Sequence, residues 1–135
     1  PSFALGHLVL GMARVFAGDA AGAVAPLEHG LRLDPHDRQN FVWNEILAWA
    51  HLFSGNPVRA LECATRAMKI RPDWRPVLEI AACCHARLGE REAARACVEQ
   101  MGRLEPPPGD ALAPLRRRNP VWVAEAGALL RAARS

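Results

Sequence analysis

The chain has no tyrosine, one lysine and only three serines, and each scarcity excludes a kind of function. Ser2, Ser54 and Ser135 stand in no nucleophile motif of a hydrolase, and the glycine-rich phosphate loops and helical zinc motifs of other enzymes are missing too. Apart from Lys69, the 17 basic residues are arginines, which are scattered and form no basic stripe with stacking aromatic side chains. We therefore expect no enzyme active site and no nucleic-acid-binding surface.

Long apolar runs are also missing. No stretch approaches the roughly 20 apolar residues that span a bilayer, and no signal peptide is visible. The sequence begins at Pro1 and not at a methionine, which indicates a segment of a longer protein whose targeting signal could lie upstream. We expect no membrane span within this segment and a cytoplasmic location.

The four cysteines give no sign of a metal site. Cys63, Cys83, Cys84 and Cys97 form no C-x-x-C pair and stand at no ligand spacing from a suitable histidine. With 50% hydrophobic residues, 23% charged residues and a net charge of +3, the chain is predicted to be globular. We interpret the cysteines as small buried side chains in a reducing compartment, and we predict no metal and no cofactor.

One sequence pattern occurs three times along the chain. Each copy has a glycine, an alanine five residues later, an amphipathic run and a closing proline. The glycines and the prolines are both spaced by 37 and then 34 residues, and they are Gly18, Gly55, Gly89, Pro35, Pro72 and Pro106. Because separate landmarks share the same two spacings, we interpret the pattern as a structural repeat.

Each copy is predicted to contain two helices. Apolar residues at helical spacing precede and follow each glycine, which tolerates the left-handed conformation that ends a helix. Asp19 and Asn56 are predicted N-caps, and Pro57 suits the first turn of the helix after Asn56. A last helix is predicted from Asn119, its N-cap, with an apolar stripe that covers the third repeat; a short helical turn precedes it at 110–118. The stripe consists of Trp122, Ala126, Leu129, Leu130 and Ala133.

These features resemble the tetratricopeptide repeat (TPR). Small residues occupy the middle of the first helices (Gly11, Ala48, Ala82) and the start and end of the second helices (Ala23, Ala60, Ala94, Gly30, Ala67). Met101 departs from the pattern, and Arg14, His51 and His85 replace the usual late aromatic residue. We interpret the equivalent positions of His51 and His85 as repeat packing. The resemblance implies an all-α, right-handed superhelical solenoid. Three repeats at about 4–37, 41–74 and 75–106 would make up residues 1–106, followed by a linker turn and a capping helix at 107–135.

Four segments resemble C-terminal repeat regions of bacterial signalling proteins, chiefly class III adenylate cyclases. They are the runs at 47–55 and 67–74 and the tail segments at 118–120 and 129–133. Winged-helix transcriptional regulators with C-terminal repeats are the near alternative. The resemblance implies a protein–protein interaction module that regulates or oligomerises an attached domain. Two other functions stay open: a stand-alone TPR scaffold or adaptor, and a small-ligand sensor with a pocket at Trp49 and Phe53.

The inward positions of the first helices in TPR proteins map onto an apolar set with two acidic residues and one arginine. The predicted partner-binding groove consists of Leu8, Met12, Phe16, Glu45, Trp49, Phe53, Glu79 and Arg87. A clamp for a terminal carboxylate would require lysine, asparagine and arginine here, so we exclude one. The groove is expected to be covered by an upstream segment of the same protein, by a second copy or by a partner helix. The expected partner in trans is a protein or peptide, in helical or extended form, and most simply a second copy that forms a homodimer.

Overall fold

The computed structural model describes residues 2–104 and 120–134, and within these ranges it contains seven helices and no strand. Side chains are described for residues 3–104 and 126–134. The helices are α1 (Ser2–Phe16), α2 (Ala20–Leu33), α3 (Asn40–Phe53), α4 (Pro57–Ile70), α5 (Arg75–Arg87), α6 (Arg91–Arg103) and α7 (Pro120–Arg134). The first six helices form three hairpins, since α1 packs on α2, α3 on α4 and α5 on α6.

The same turn closes each hairpin. Gly18, Gly55 and Gly89 have φ angles of 91°, 84° and 77°, which side chains with a Cβ rarely adopt. The residue after each glycine donates its backbone N–H to the carbonyl five residues earlier, at 2.8–2.9 Å. This is the Schellman arrangement, and it confirms the predicted role of the three glycines as helix ends.

Both predicted N-caps occupy the N-cap position, but only one makes a capping hydrogen bond. The Asp19 Oδ1 accepts a hydrogen bond from the Gly22 N–H at 3.0 Å, as expected of an N-cap. Asn56 is the N-cap residue of α4 as predicted, and its side chain makes no capping hydrogen bond. Pro57 lies in the first turn of α4 as predicted, while Asn119 lies outside the described residues.

Small residues allow α1 and α2 to approach closely. A Cβ on Gly30 would lie 2.6 Å from Cγ of Leu8 and 3.0 Å from the carbonyl oxygen of Ala4. A Cβ on Gly11 would likewise collide with the side chain of Leu27. The glycines therefore set the distance between the two helices.

The hairpins stack through their neighbouring helices. The second helix of one hairpin packs on the first helix of the next, α2 on α3 and α4 on α5, and the first helices α1, α3 and α5 also contact one another in sequence. The main core cluster extends through all three hairpins and includes the fully buried side chains of Leu27, Ile46, Leu52 and Ile80. A continuous core of this kind is typical of a helical-repeat array.

Helix α7 closes the end of the array. It packs mainly on α5 and less on α6, and Ala126 and Ala133 are buried there with 7% and 2% exposure. The Cys83 Sγ lies 3.8 Å from the carbonyl oxygen of Ala126. The predicted capping helix is present and begins at Pro120; the side chain of Trp122 and the predicted turn at 110–118 lie outside the described residues.

Candidate partner-binding surface

The predicted groove is closed at its centre. Leu8, Glu45 and Trp49 are only 4%, 0% and 1% exposed, so they lie in the core. The Trp49 ring stacks on Phe53 with ring centroids 5.5 Å apart. The reason is that α3 lies in the middle of the array and contacts α1, α2, α4 and α5. The open groove through these three residues was therefore a wrong expectation, and so was a ligand pocket at Trp49.

The other five predicted groove residues remain at least partly accessible. Met12 and Phe16 on α1 and Phe53 on α3 are half-buried at the edge of the main core. Glu79 is half-buried on α5, with its Oε1 3.7 Å from Nε of Arg75, and Arg87 is exposed. The structure thus groups Met12 and Phe16 on one helix face and places Arg87 on another helix. Partner binding by these residues stays a prediction.

Helix α1 has further exposed apolar residues outside the predicted groove. Phe3, Leu5, Leu10 and Val9 on α1 are 79%, 54%, 44% and 42% exposed. None of these four is among the eight residues of the predicted groove. The signal was available, because α1 is apolar around its whole circumference and Arg14 is its only charged residue. A helix with this pattern is normally buried on all sides, whereas α1 is covered mainly on one.

Four residues of α1 form a continuous apolar line. Leu5, Val9, Met12 and Phe16 follow the spacing i, i+4, i+7, i+11, which places them on one side of a helix. We refer to these four residues as the α1 strip. Such a run of partly exposed apolar side chains is characteristic of a surface that contacts another molecule.

The α1 strip leads into a cleft at its N-terminal end. The cleft has a volume of about 290 Å³ and lies between the start of α1, the α2–α3 connection and the start of α3. Leu5, Leu8 and Trp43 supply apolar walls, and Asp34 and Asp37 also line the cleft. The Asp37 Oδ1 accepts a hydrogen bond from the Gln39 N–H at 2.8 Å. This end of the surface therefore suits an apolar side chain with a cationic neighbour.

The two equivalent histidines differ in their surroundings. His51 is 5% exposed, and its Nε2 lies 3.4 Å from the Glu28 Oε1, so it links α3 to the preceding hairpin. Burial lowers the pKa of His51; Glu28 opposes this shift, while Arg59 and Arg66 add to it. The Nδ1 of His85 instead lies 3.2 Å from the Glu90 Oε1 at the turn of its own hairpin.

The cysteines behave as buried apolar groups. All four are free thiols; Cys63, Cys83 and Cys84 are buried and Cys97 is half-buried. Burial raises the pKa of all four thiols, and that of Cys84 to about 12, so they are protonated at neutral pH and are poor nucleophiles and ligands. Among the described residues, no three metal-ligating side chains cluster, and no helix is both long and apolar enough to cross a membrane.

No protein-family model matches the chain, and no curated protein matches its sequence. Its fold is similar to that of PcrH from Pseudomonas aeruginosa, with a TM-score of 0.69 and 21% identity over 100% of this chain and 94% of PcrH. The structure of PcrH in complex with the chaperone binding region of PopB has a TM-score of 0.68 and 21% identity, and the match covers 96% of this chain and 96% of PcrH. The structure of PcrH in complex with the chaperone binding region of PopD has a TM-score of 0.68 and 22% identity, and the match covers 98% of this chain and 92% of PcrH. This likeness confirms the predicted all-α solenoid of TPR-like repeats with a C-terminal helix.

Proposed function

We propose that this chain is a polypeptide-binding helical-repeat module, which holds an apolar segment of another protein against the α1 strip. The observation that carries the proposal is the exposed apolar side of α1, on which Leu5 and Val9 are 54% and 42% exposed. Covering such side chains is favourable by about 25 cal/mol for each Å² removed from water. The strip has helical spacing, so an amphipathic helix with apolar residues at i, i+4 and i+7 fits it.

Charge at one end of the α1 strip gives the partner a direction. Asp34 and Asp37 line the cleft beside Leu5. A partner segment with a lysine or arginine at its Asp37 end places unlike charges together. These charges affect orientation and association rate more than affinity.

The comparisons with solved structures support a polypeptide as the occupant. PcrH has been crystallised with the chaperone binding regions of PopB and PopD, which shows that a fold of this kind accommodates segments of other proteins. We commit to a segment of a different protein rather than to a second copy of this chain.

The experiment is a selection of random peptides on the immobilised chain, followed by affinity measurements by fluorescence anisotropy. We expect enriched peptides with apolar residues at helical spacing and a basic residue near one end. Val9→Asp should weaken their binding by about tenfold or more, because the change places a charge in the middle of the strip. Val58→Asp is the matched control, since Val58 is 56% exposed on α4, away from the strip.

Two results would contradict the proposal. Equal affinity of the selected peptides for the wild type and for Val9→Asp, with both proteins equally folded, would move the site elsewhere. Concentration-dependent dimerisation of the wild type that Val9→Asp abolishes, measured by sedimentation velocity, would make a second copy the occupant.

The wider context of the chain is also a proposal. The runs at 47–55 and 67–74 resemble the C-terminal repeat regions of bacterial signalling proteins, which supports a regulatory role in a larger protein such as an adenylate cyclase. In this proposal the protein is cytoplasmic, residues 1–106 form the repeats and residues 107–135 form the capping region. The coding sequence upstream of Pro1 tests this: a cyclase domain supports it, whereas a winged helix or an immediate start codon contradicts it.

A further inference from the structure

A larger cleft lies on the opposite side of α3 from Trp49. It has a volume of about 500 Å³, within the range of sites that hold small organic ligands. Helices α2 and α4 form its sides, α3 forms its floor, and the α2–α3 connection closes one end. Its lining consists of Glu28, Leu31, Arg32, Pro35, Asn40, Asn44, Leu47, Arg66, Lys69 and Ile70.

The cleft is next to a position where this sequence departs from the repeat pattern. TPR sequences carry a tryptophan three residues before the leucine and small residue of the first helix. Leu47 and Ala48 are that pair in the second repeat, and the corresponding residue is Asn44. An asparagine fills much less volume than a tryptophan, so the replacement leaves space between α2 and α4.

Buried amides organise the polar end of this cleft. Asn40 and Asn44 are 4% and 6% exposed. The Asn40 Nδ2 donates to the Asp34 carbonyl at 2.8 Å, and the Asn44 Nδ2 donates to the Asn40 carbonyl at 2.9 Å. The Oδ1 of Asn44 then accepts a hydrogen bond from Nε of Arg66 at 3.3 Å. The guanidinium is thereby held at the cleft and not left to rotate in solvent.

The charges of the lining are predominantly positive. Arg32, Arg66 and Lys69 stand against one carboxylate, that of Glu28. Glu28 already has two neighbours of its own, with the Arg32 Nη1 at 3.9 Å from its Oε2 and the His51 Nε2 at 3.4 Å from its Oε1. Arg66 and Lys69 lie one turn apart on α4. The Arg66 Nε donates to the Asn44 Oδ1 and its Nη2 to the Cys63 Sγ at 3.1 Å, so its Nη1 and the Lys69 ammonium are the groups left for an anion. Leu31, Leu47 and Ile70 provide apolar walls beside them.

We propose that this cleft binds a small amphipathic anion, whose carboxylate contacts Arg66 and Lys69 and whose short apolar chain lies against Leu31, Leu47 and Ile70. The site is independent of the proposed polypeptide-binding surface, because the α1 strip contributes none of its lining. Arginine suits a carboxylate through paired N–H donors, and lysine adds charge without a fixed geometry.

The probes are octanoate, butanoate and octanamide, titrated into the isotopically labelled full chain at neutral pH. Chemical shifts of the Asn40 and Asn44 side-chain amides report occupancy. We expect saturable shifts with octanoate and about tenfold weaker binding of both butanoate, which has little apolar chain, and octanamide, which has no charge. Arg66→Gln and Lys69→Gln should each weaken octanoate binding several-fold. Arg91→Gln is the matched control on the exposed start of α6 and should change nothing.

A filling variant tests the location of the site. Asn44→Trp restores the residue of the repeat pattern and should abolish octanoate binding while the chain stays helical. If Asn44→Trp does not fold, the affinities of Arg66→Gln and Lys69→Gln for octanoate decide whether the cleft is the binding site. The proposal is overturned if octanoate gives no saturable shift, if octanamide or butanoate binds as tightly as octanoate, or if folded Asn44→Trp or the double variant of Arg66 and Lys69 binds like the wild type.

Discussion

Replacing Trp49 by alanine tests whether this side chain belongs to the core. The ring is 1% exposed and stacks on Phe53 at 5.5 Å. A buried tryptophan removes on the order of 200 Å² from water, which corresponds to about 5 kcal/mol at 25 cal/mol per Å². Alanine retains a small part of this contact, and the cavity that it leaves is unfavourable. We therefore expect Trp49→Ala to lower the free energy of unfolding by about 4 kcal/mol.

That loss is a large part of the stability of a typical domain, which is about 5–15 kcal/mol. For a chain of this size it corresponds to a decrease in Tm of roughly 15 °C. The assay is urea and thermal unfolding followed by circular dichroism, with Trp49→Phe as an intermediate change that keeps an aromatic ring. Leu5→Ala is the counterpart: Leu5 is 54% exposed, so its stability effect should be about 1 kcal/mol or less while peptide affinity decreases.

The two variants should therefore have opposite profiles, with Trp49→Ala changing stability and Leu5→Ala changing binding. A Trp49→Ala protein that unfolds within about 0.5 kcal/mol of the wild type would refute the packing argument. If that equally stable variant also bound peptides more weakly, the result would support the sequence-based prediction of an open groove through Trp49.

Four further variants test the fold. Gly30→Ala should destabilise the protein by about 1–3 kcal/mol, because its Cβ would lie 2.6 Å from Cγ of Leu8; Gly102→Ala, with nothing within 4 Å, should stabilise α6 by up to about 1 kcal/mol. Asp19→Ala should lower the free energy of unfolding by about 1 kcal/mol through loss of the N-cap, as measured in urea. Burial places the pKa of His51 below its ordinary 6.5, so the unfolded chain takes up this proton first as the pH falls. Stability should therefore decrease from about pH 6.5 down to the lowered pKa, and less steeply in His51→Gln, as Tm against pH will show.

Each of these expectations has an outcome that contradicts it. Equal effects of alanine at Gly30 and Gly102 would show that helix propensity and not close helix approach governs both sites. An unchanged urea midpoint for Asp19→Ala would mean that the capping bond contributes nothing net. Parallel curves of Tm against pH for the wild type and His51→Gln would show that this histidine titrates alike in the folded and unfolded chain.

Several features were predictable from the sequence because they depend on local chemistry. The turns at Gly18, Gly55 and Gly89 require a positive φ, which glycine alone adopts without strain, so three equally spaced glycines identify three helix ends. The carboxylate of Asp19 reaches a backbone N–H only three residues away. These interactions need no information about distant parts of the chain, and the number and order of the hairpins follow from them.

Other features depended on which helices pack together, and the sequence contains no local signal for that choice. Periodicity places Trp49 and Glu45 on one side of α3, but only the helices packed around α3 decide that this side is buried. The same periodicity does not show that one side of α1 stays uncovered, or that the space beside Asn44 opens between α2 and α4. Local hydrogen bonds and φ angles determine the helices, whereas solvent exposure is a property of the assembled array, since each surface is covered or left open by residues far away in the chain.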